Sequence, residues 1–336
     1  LDILQTLIED SSITEIMING PDHIFVEKRG RMEEVPIQFS SEEKLLQIIQ
    51  RIVGDCNRTV NEVSPIVDAR LQNGSRVNVV LSPIALNGPI VTIRKFPDCP
   101  LTIDQPISWG SITKEAAEEL RLYVQAGYNI FVSGGTGSGK TTFLNILSDF
   151  IPKDERIITI EDSAELQIQG IENLIRLETR NENVEGCHAI TIRDLIKSSL
   201  RMRPDRIIVG EVRGSEAVDM ITAFNTGHDG SMSTGHANSA RDMLSRLENM
   251  ILMGMDIPLA AVKQQIASAI DIMIHLGRIR DKSRRVLEIT EIDGIQDGEI
   301  KMHTLYEFTE DASPRIGILQ KKGQLQHVEK LKAAGL

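Results

Sequence analysis

A glycine-rich segment between two apolar runs carries the clearest chemistry in this sequence. Residues 134–141 read Gly-Gly-Thr-Gly-Ser-Gly-Lys-Thr, which fits the pattern G-x-x-x-x-G-K-[ST] of a phosphate-binding loop. A predicted buried strand, residues 128–132, precedes the loop, and an apolar helical run that includes Phe143 follows it. Glycines let backbone N–H groups turn towards phosphate oxygens, and the helix N-terminus adds partial positive charge. The segment therefore predicts a nucleotide site rather than a chance glycine-rich turn.

Different residues of this loop are suited to bind the phosphates and the metal ion of a nucleotide. Lys140 is placed to reach the β- and γ-phosphates, and the Thr141 hydroxyl is placed to ligate Mg²⁺. The predicted cofactors are therefore ATP and Mg²⁺. The residues predicted to bind the nucleotide are Gly134, Gly135, Thr136, Gly137, Ser138, Gly139, Lys140, Thr141 and Thr142.

Acidic residues end two other β-rich apolar runs. One run ends in Glu161 and Asp162, and another ends in Glu211. Carboxylates beside a phosphate-binding loop can hold Mg²⁺ and polarise the water that attacks the γ-phosphate. We therefore predict catalytic roles for Glu161 and Glu211, and a metal site that combines Glu211 with Thr141. Asp162 is equally suited to a structural role as the N-cap of a following helix.

One histidine and two arginines are further candidates for the site. His236 ends another predicted strand, and residue type alone leaves it evenly balanced between a structural and a catalytic role. Arg76 and Arg94 lie in predicted strands of the amino-terminal region. Most arginines in strands are solvated or paired, so residue type alone favours a structural role for both.

Composition narrows the class of protein. The chain has 336 residues, 41% of them hydrophobic and 25% charged, which is typical of a soluble protein with two globular domains. Its 37 basic and 48 acidic residues give a net charge of −11, which argues weakly against a nucleic-acid substrate. The three cysteines show no C-x-x-C spacing, which argues against a zinc site and disulfides. No stretch of 18 apolar residues occurs, and the start at Leu1 leaves open a preceding segment.

The order of predicted elements divides the chain into two domains. Residues 1–103 are predicted to form a small α+β domain, in which a capping box at residues 40–43 begins a helix. Proline density predicts a linker at residues 104–112. From residue 113 to residue 336 strands and helices alternate, which predicts an α/β domain with a mainly parallel sheet and helices on both faces. Ligands of such sheets lie at the carboxyl ends of the strands, where the acidic residues and His236 fall.

Four separated blocks together resemble those of the secretion-superfamily ATPases. That superfamily names them the Walker A, Asp, Walker B and His boxes, and here they are residues 134–141, 159–166, 207–214 and 233–239. The joining segments, residues 180–186 and 200–205, look most similar to the tight-adherence pilus (CpaF-type) branch. The resemblance covers residues 10–310, and the order and spacing of the four blocks make it specific.

This resemblance implies a fold and an activity beyond what the spacing predicts. Members are homohexameric rings of chains with a PAS-like N-terminal domain and a RecA-like C-terminal P-loop motor domain. They hydrolyse Mg-ATP to ADP and phosphate, couple hydrolysis to domain rotation, and power type II/IV secretion or the assembly, with or without retraction, of type IV or tight-adherence pili. They work on the cytoplasmic face of the inner membrane, docked on a polytopic membrane partner, and no direct nucleic-acid contact is expected.

The resemblance also assigns roles to single residues. Glu161 resembles the glutamate that orients the attacking water, Glu211 the glutamate that acts through Mg²⁺, and His236 the histidine near the γ-phosphate. Arg76 and Arg94 resemble arginines that the N-terminal domain presents to nucleotide. The Walker B strand ends in glycine and glutamate rather than aspartate, which leaves direct Mg²⁺ ligation open. A nucleic-acid translocase on the same core and a non-hydrolysing, nucleotide-gated scaffold are the alternative functions.

Overall fold

The chain folds into two compact units, Leu1–Cys99 and Pro100–Leu336. The computed structural model describes residues 3–28, 30–56, 58–71, 73–96, 101–180, 188–310 and 317–336. The segment predicted as a linker, residues 104–112, contains a short helix and lies within the second unit. Pro106 is buried and lies in the first turn of this helix. Proline is tolerated there, because the N–H group that it lacks would have no intrahelical partner.

The first unit is an antiparallel sheet with helices. Its sheet has the strand order β3-β2-β1-β6-β5-β4. One face of α2, including Leu45, Ile49 and Ile52, is buried in the core with alternate residues of the strands. The elements described are α1 (Leu4–Glu9), β1 (Ile13–Asn19), β2 (His23–Lys28), β3 (Arg31–Glu34), α2 (Glu42–Asp55), β4 (Ile66–Arg70), β5 (Arg76–Val80) and β6 (Ile90–Arg94).

The N-terminus of α2 differs from the predicted capping box in register. The structure places the N-cap at Ser41, whose hydroxyl accepts a hydrogen bond from the backbone N–H of Lys44 at 3.2 Å. The third helical residue is therefore a lysine rather than the glutamate of the predicted box. The prediction of an α+β unit is confirmed, while a PAS-like relationship stays a prediction.

The second unit is an α/β unit, whose sheet has nine strands among the described residues. Its order is β15-β14-β13-β12-β7-β11-β10-β8-β9. The elements are α3 (Asp104–Ser108), α4 (Lys114–Gln125), β7 (Ile130–Gly134), α5 (Lys140–Ser148), β8 (Ile157–Glu161), β9 (Leu174–Glu178), α6 (Ile192–Ser199), β10 (Arg206–Val209), α7 (Ala217–Phe224), β11 (Met232–His236), α8 (Ala240–Gly254), α9 (Leu259–Ala269), β12 (Ile272–Arg278), β13 (Arg284–Gln296), β14 (Glu299–Glu310), β15 (Gly317–Lys321) and α10 (Glu329–Ala334).

The centre of this sheet is parallel and buried on both faces. Strands β12, β7, β11, β10, β8 and β9 run parallel to one another, and β13, β14 and β15 continue the sheet from β12 in antiparallel pairs. Phe131 of β7 lies in a core formed with α6, α7, α8 and α9. Its neighbours Ile130 and Val132 lie in the opposite core with α4 and α5. The predicted parallel sheet with helices on both faces is confirmed.

No helix among the described residues is long and apolar enough to cross a membrane. Four of the described elements were not predicted from the sequence: the short helices α3 and α10 and the edge strands β9 and β15.

Candidate active site

The phosphate-binding loop joins β7 to α5 at the carboxyl edge of the sheet. Gly134 ends β7, and a Cβ atom there would lie 2.5 Å from the backbone oxygen of Leu276 on β12. Gly139 is the N-cap of α5 and has φ +94°, a backbone conformation that side chains disfavour. No side chain caps this helix. Its first N–H groups and partial positive charge therefore suit an anion.

Lys140 is held at the mouth of this loop. Only 6% of the residue is exposed. Its Nζ atom donates hydrogen bonds to the backbone oxygens of Gly134 and Gly135, both at 3.1 Å. The same ammonium lies 3.2 Å from Nδ1 of His236. His236 reaches this position because β11 pairs with β7 in a register that sets it opposite Gly134.

His236 links the loop lysine to Glu211. Its Nε2 atom lies 2.8 Å from Oε1 of Glu211, without the alignment of a hydrogen bond. Burial lowers the pKa of His236, and the charge of Lys140 lowers it further, whereas Glu211 opposes both. A neutral imidazole accepts from Lys140 through Nδ1 and places its remaining proton on Nε2, towards the carboxylate.

Arg213 is a member of the site that residue-by-residue reasoning missed. Its Nη2 atom donates to Oε2 of Glu211 at 2.8 Å, and this bond raises the pKa of the guanidinium. The Glu211 carboxylate therefore lies between a histidine and an arginine. The signal was present in the sequence, because Arg213 lies in the same block as Glu211.

Glu161 ends β8 as a buried carboxylate, only 3% exposed. Its Oε1 atom accepts hydrogen bonds from the N–H groups of Glu165 and Leu166, at 2.8 and 2.9 Å. Its Oε2 atom has no hydrogen-bond partner among the described residues. Burial raises the pKa of Glu161 to about 7. A carboxylate with one anchored and one unpartnered oxygen is suited to accept a hydrogen bond from water.

Asp162 does not have the structural role considered for it. No helix follows it within residues 162–180, so it caps none there. Its backbone oxygen instead accepts a hydrogen bond from the Thr179 hydroxyl at 3.2 Å.

The donor chemistry of these residues fits a magnesium nucleotide. The described residues contain no cluster of three or more His, Cys, Asp or Glu side chains that could hold a metal. Mg²⁺ is usually held by one or two protein oxygens together with phosphates and water. Thr141 in the first turn of α5 and Glu211, just beyond the end of β10, supply oxygens of this kind. Thr142, the next residue, is exposed.

A cleft of about 490 Å³ opens beside the loop. Gly135, Thr136 and His236 line one side of it, and Asp242 and Arg246 of α8 line another. Its volume lies within the range of small-molecule sites, and its lining is polar.

Arg76 and Arg94 belong to the first unit. They are cross-strand partners on β5 and β6. Arg94 is exposed, and its Nε atom lies 3.6 Å from Oε1 of Glu15. Their predicted contact with nucleotide stays a prediction, whereas Lys140, Glu161, Glu211 and His236 all lie at one edge of the second unit's sheet.

Comparisons with known proteins extend over nearly the whole chain. Residues 1–323 match the family described as "Type II/IV secretion system protein". The chain is 31% identical over 315 residues to the conjugal transfer protein TrbB of Rhizobium radiobacter, covering 93% of both. It is 33% identical over 324 residues to the type IV secretion system protein PtlH of Bordetella pertussis, covering 88% of this chain and 95% of that protein. The fold is similar to that of the Legionella pneumophila ATPase DotB, with a TM-score of 0.61 and 22% identity over 84% of this chain and 78% of that one.

Proposed function

This chain belongs to the type II/IV secretion system protein family, and from that premise we propose that it is a motor ATPase. It hydrolyses Mg-ATP to ADP and phosphate and uses the energy to drive a secretion machine or the assembly of a pilus. Its second unit has the RecA-like fold of secretion ATPases. The nearer relationship to the tight-adherence branch stays a prediction.

The convergence of Lys140, His236 and Glu211 on the phosphate-binding loop carries this proposal. Lys140 neutralises charge on the β- and γ-phosphates, and the Thr141 hydroxyl and Glu211 serve the Mg²⁺ ion, which stabilises charge on the phosphates when bound. Glu161 orients the water that attacks the γ-phosphorus as the bond to ADP breaks. The neutral His236 contacts the terminal phosphate region and keeps Lys140 and Glu211 in register.

The assembly that we propose is a homohexameric ring. Arg76 or Arg94, from the same chain or a neighbour, would supply positive charge to the transition state, a contribution of about 10³-fold or more in rate where it has been measured in other phosphoryl-transfer enzymes. If Arg94 makes this contact, the R94A variant is expected to lose ATP affinity or turnover, and unchanged values of both would exclude Arg94 from it. The ring would work in the cytoplasm on a polytopic inner-membrane platform protein.

A nucleic-acid translocase is the competing function. The observation that favours it is the name of one relative, the conjugal transfer protein TrbB. The net charge of −11 argues against a nucleic-acid path along this chain, because phosphate backbones are bound by basic surfaces. A secretion machine or a pilus is therefore favoured over a nucleic-acid translocase.

Phosphate release from Mg-ATP by size-fractionated protein, with and without DNA, separates these functions. Activity that follows the hexamer fraction and ignores DNA supports the secretion motor, whereas activity that requires DNA supports the translocase. The K140A variant is expected to lose nucleotide binding and hydrolysis. E211Q is expected to bind nucleotide without hydrolysing it. K114A, which replaces an exposed lysine on α4, is the matched control. Undiminished turnover in K140A or E211Q would refute the site.

A further inference from the structure

The hairpin between β12 and β13 is strongly basic. Residues 278–285 contain Arg278, Arg280, Lys282, Arg284 and Arg285 against a single acidic residue, in a chain of net charge −11. No sequence block of the predicted site includes them. The hairpin lies next to the loop because β12 runs parallel to β7 and pairs Leu276 with Gly134, where the loop begins.

Two of these arginines donate to the same oxygen atom of the loop. The Nε atoms of Arg278 and Arg284 each lie 3.0 Å from the backbone oxygen of Gly137. The two residues are also cross-strand partners in the hairpin. Two like charges directly opposite each other destabilise an antiparallel pair of strands. The Gly137 oxygen, as the acceptor that both arginines share, offsets this repulsion.

Packing places both side chains across the loop. A Cβ atom on Gly137 would lie 2.7 Å from Nη2 of Arg278, and a Cβ atom on Gly139 would lie 3.4 Å from Cδ of Arg284. The missing side chain of Gly137 therefore makes room for Arg278, whereas a Cβ atom on Gly139 would be in ordinary van der Waals contact with Arg284.

The hairpin is anchored independently of the loop. Arg285 donates through Nη1 to the backbone oxygen of Gly110. The backbone N–H of Val286 donates to the oxygen of Ser111 at 2.9 Å. These contacts hold the backbone that carries the arginines without a contribution from a ligand.

We propose that Arg278 and Arg284 are positioning residues of the phosphate-binding loop. The Gly137 carbonyl and the Ser138 N–H belong to one planar trans peptide group, so they point in opposite directions. Cationic donors that hold the carbonyl outward turn the N–H towards the inside of the loop and polarise it as a donor. That N–H now makes only a long bond of 3.3 Å to Gly135. This inference rests on the proposed nucleotide site and adds two residues to it.

The two arginines share one task, so their effects are expected to be non-additive. In R278M or R284M the remaining arginine still holds the Gly137 oxygen, and the Kd for Mg-ADP is expected to rise less than about threefold. In R278M/R284M the Kd is expected to rise about tenfold or more, the effect of losing a charge-assisted hydrogen bond. R278K/R284K keeps two cationic donors and is expected to recover most of the affinity.

The control removes the same charge from the same hairpin. R280M/K282M deletes two cations that make no described contact with Gly137, and its Kd is expected to stay within about twofold of wild type if direct contact, rather than screened long-range charge, is responsible. An equal loss in R280M/K282M and R278M/R284M would overturn the positioning role. If R278M/R284M does not fold, R278T/R284T takes its place with the same expected loss, because threonine favours strands.

Amide hydrogen exchange of the loop, and KM measured separately from kcat, distinguish a positioning role from a merely structural one. In protein without nucleotide, the peptide that covers residues 134–141 is expected to exchange faster in R278M/R284M, with the unfolding midpoint unchanged. The KM for ATP is expected to rise while kcat at saturation stays within about threefold, because the loop binds ground and transition states alike. Unchanged exchange and KM would overturn the inference. A wild-type protein that binds no Mg-ADP would instead refute the proposed function.

Discussion

The Cγ atom of Glu161 lies 2.8 Å from the point where a Cβ atom on residue 210 would stand. Gly210 follows β10, and Glu161 ends the neighbouring parallel strand β8. The Thr234 hydroxyl fixes the position of Gly210 by donating to its backbone oxygen at 2.7 Å. The glycine before Glu211 is therefore required for space, because the buried side chain of Glu161, through its Cγ atom, occupies the volume that a side chain at position 210 would need.

The G210A variant tests this packing. The added methyl group is expected to displace Glu161 and to lower the free energy of unfolding by about 1–3 kcal/mol, the usual range for overpacking. Urea unfolding followed by the fluorescence of Trp109, the single tryptophan, reports on the second unit. In an E161A background the same substitution is expected to be much less destabilising, since the clashing atoms are gone. Equal effects in both backgrounds would show that Glu161 is not the residue that excludes a side chain at position 210.

Stability of the second unit is expected to depend on pH through Glu161. Burial raises its pKa from 4.5 to about 7. Between these values the native state holds a proton that the unfolded state has released, so the free energy of unfolding falls as pH rises through this window. The full effect is about 3 kcal/mol at 1.36 kcal/mol per pKa unit. Comparing the free energies of unfolding of wild type and E161Q at pH 5 and pH 8 isolates the contribution of Glu161, because glutamine does not titrate. The same dependence in E161Q would assign it to other groups.

The same titration sets an expected pH profile for hydrolysis. If Glu161 orients water as a carboxylate, kcat rises with pH through an apparent pKa near 7. H236N, which leaves Glu161 in place, is the control for a titration of the histidine. A kcat without a limb near neutral pH would contradict the role of Glu161.

The sequence was sufficient to predict the carboxyl edge of the sheet. The loop, Glu161 and Glu211 each follow a buried apolar run, His236 ends a predicted short strand, and the ends of parallel strands necessarily meet at one edge. Apolar strands are detectable because β7 and β8 are buried along their whole length. The fold class and these strands could therefore be predicted from local patterns.

The arginines of the hairpin could not be predicted in this way. Arg278 and Arg284 lie beyond the apolar part of their strands, and they are 141 and 147 residues away in sequence from their acceptor Gly137. Edge strand β9 has exposed and half-exposed residues only, so it lacks the continuous apolar run of a central strand. Such features depend on tertiary pairing rather than on local residue type.

An ion pair between the buried Arg206 and the partly buried Glu155, at the opposite end of the strands, is expected to matter for stability and not for nucleotide binding. Arg206, 2% exposed at the start of β10, donates from Nε and Nη2 to both oxygens of Glu155, at 2.5 and 2.7 Å. Its Nη1 atom donates to the backbone oxygen of Val124 at 2.6 Å. The E155Q variant leaves the guanidinium buried without a counter-ion and is expected to lower the free energy of unfolding by about 3–5 kcal/mol.

The exposed pair Arg121–Glu118, 2.7 Å apart on α4, is the matched control for this loss. E118Q is expected to change the free energy of unfolding by less than about 0.5 kcal/mol, because solvent screens a surface pair. Urea unfolding measures both variants, and binding of Mg-ADP to folded E155Q is expected to be unchanged. A small effect of E155Q would mean that solvent or another carboxylate compensates Arg206.

The pKa of His236 is expected to report on the position of Lys140. Burial has the largest effect on this pKa and lowers it, whereas Glu211 raises it. The ammonium of Lys140, 3.2 Å from Nδ1, has the next largest effect and lowers the pKa. The K140M variant removes this charge, so the pKa of His236 is expected to rise. R246M removes a more weakly acting cation and is expected to raise it less. Nitrogen NMR of the imidazole ring across the titration measures both shifts, with H236N to identify the signal. An unchanged pKa in K140M would show that Lys140 is not in contact with His236 in solution, and that the two reach the phosphate site independently.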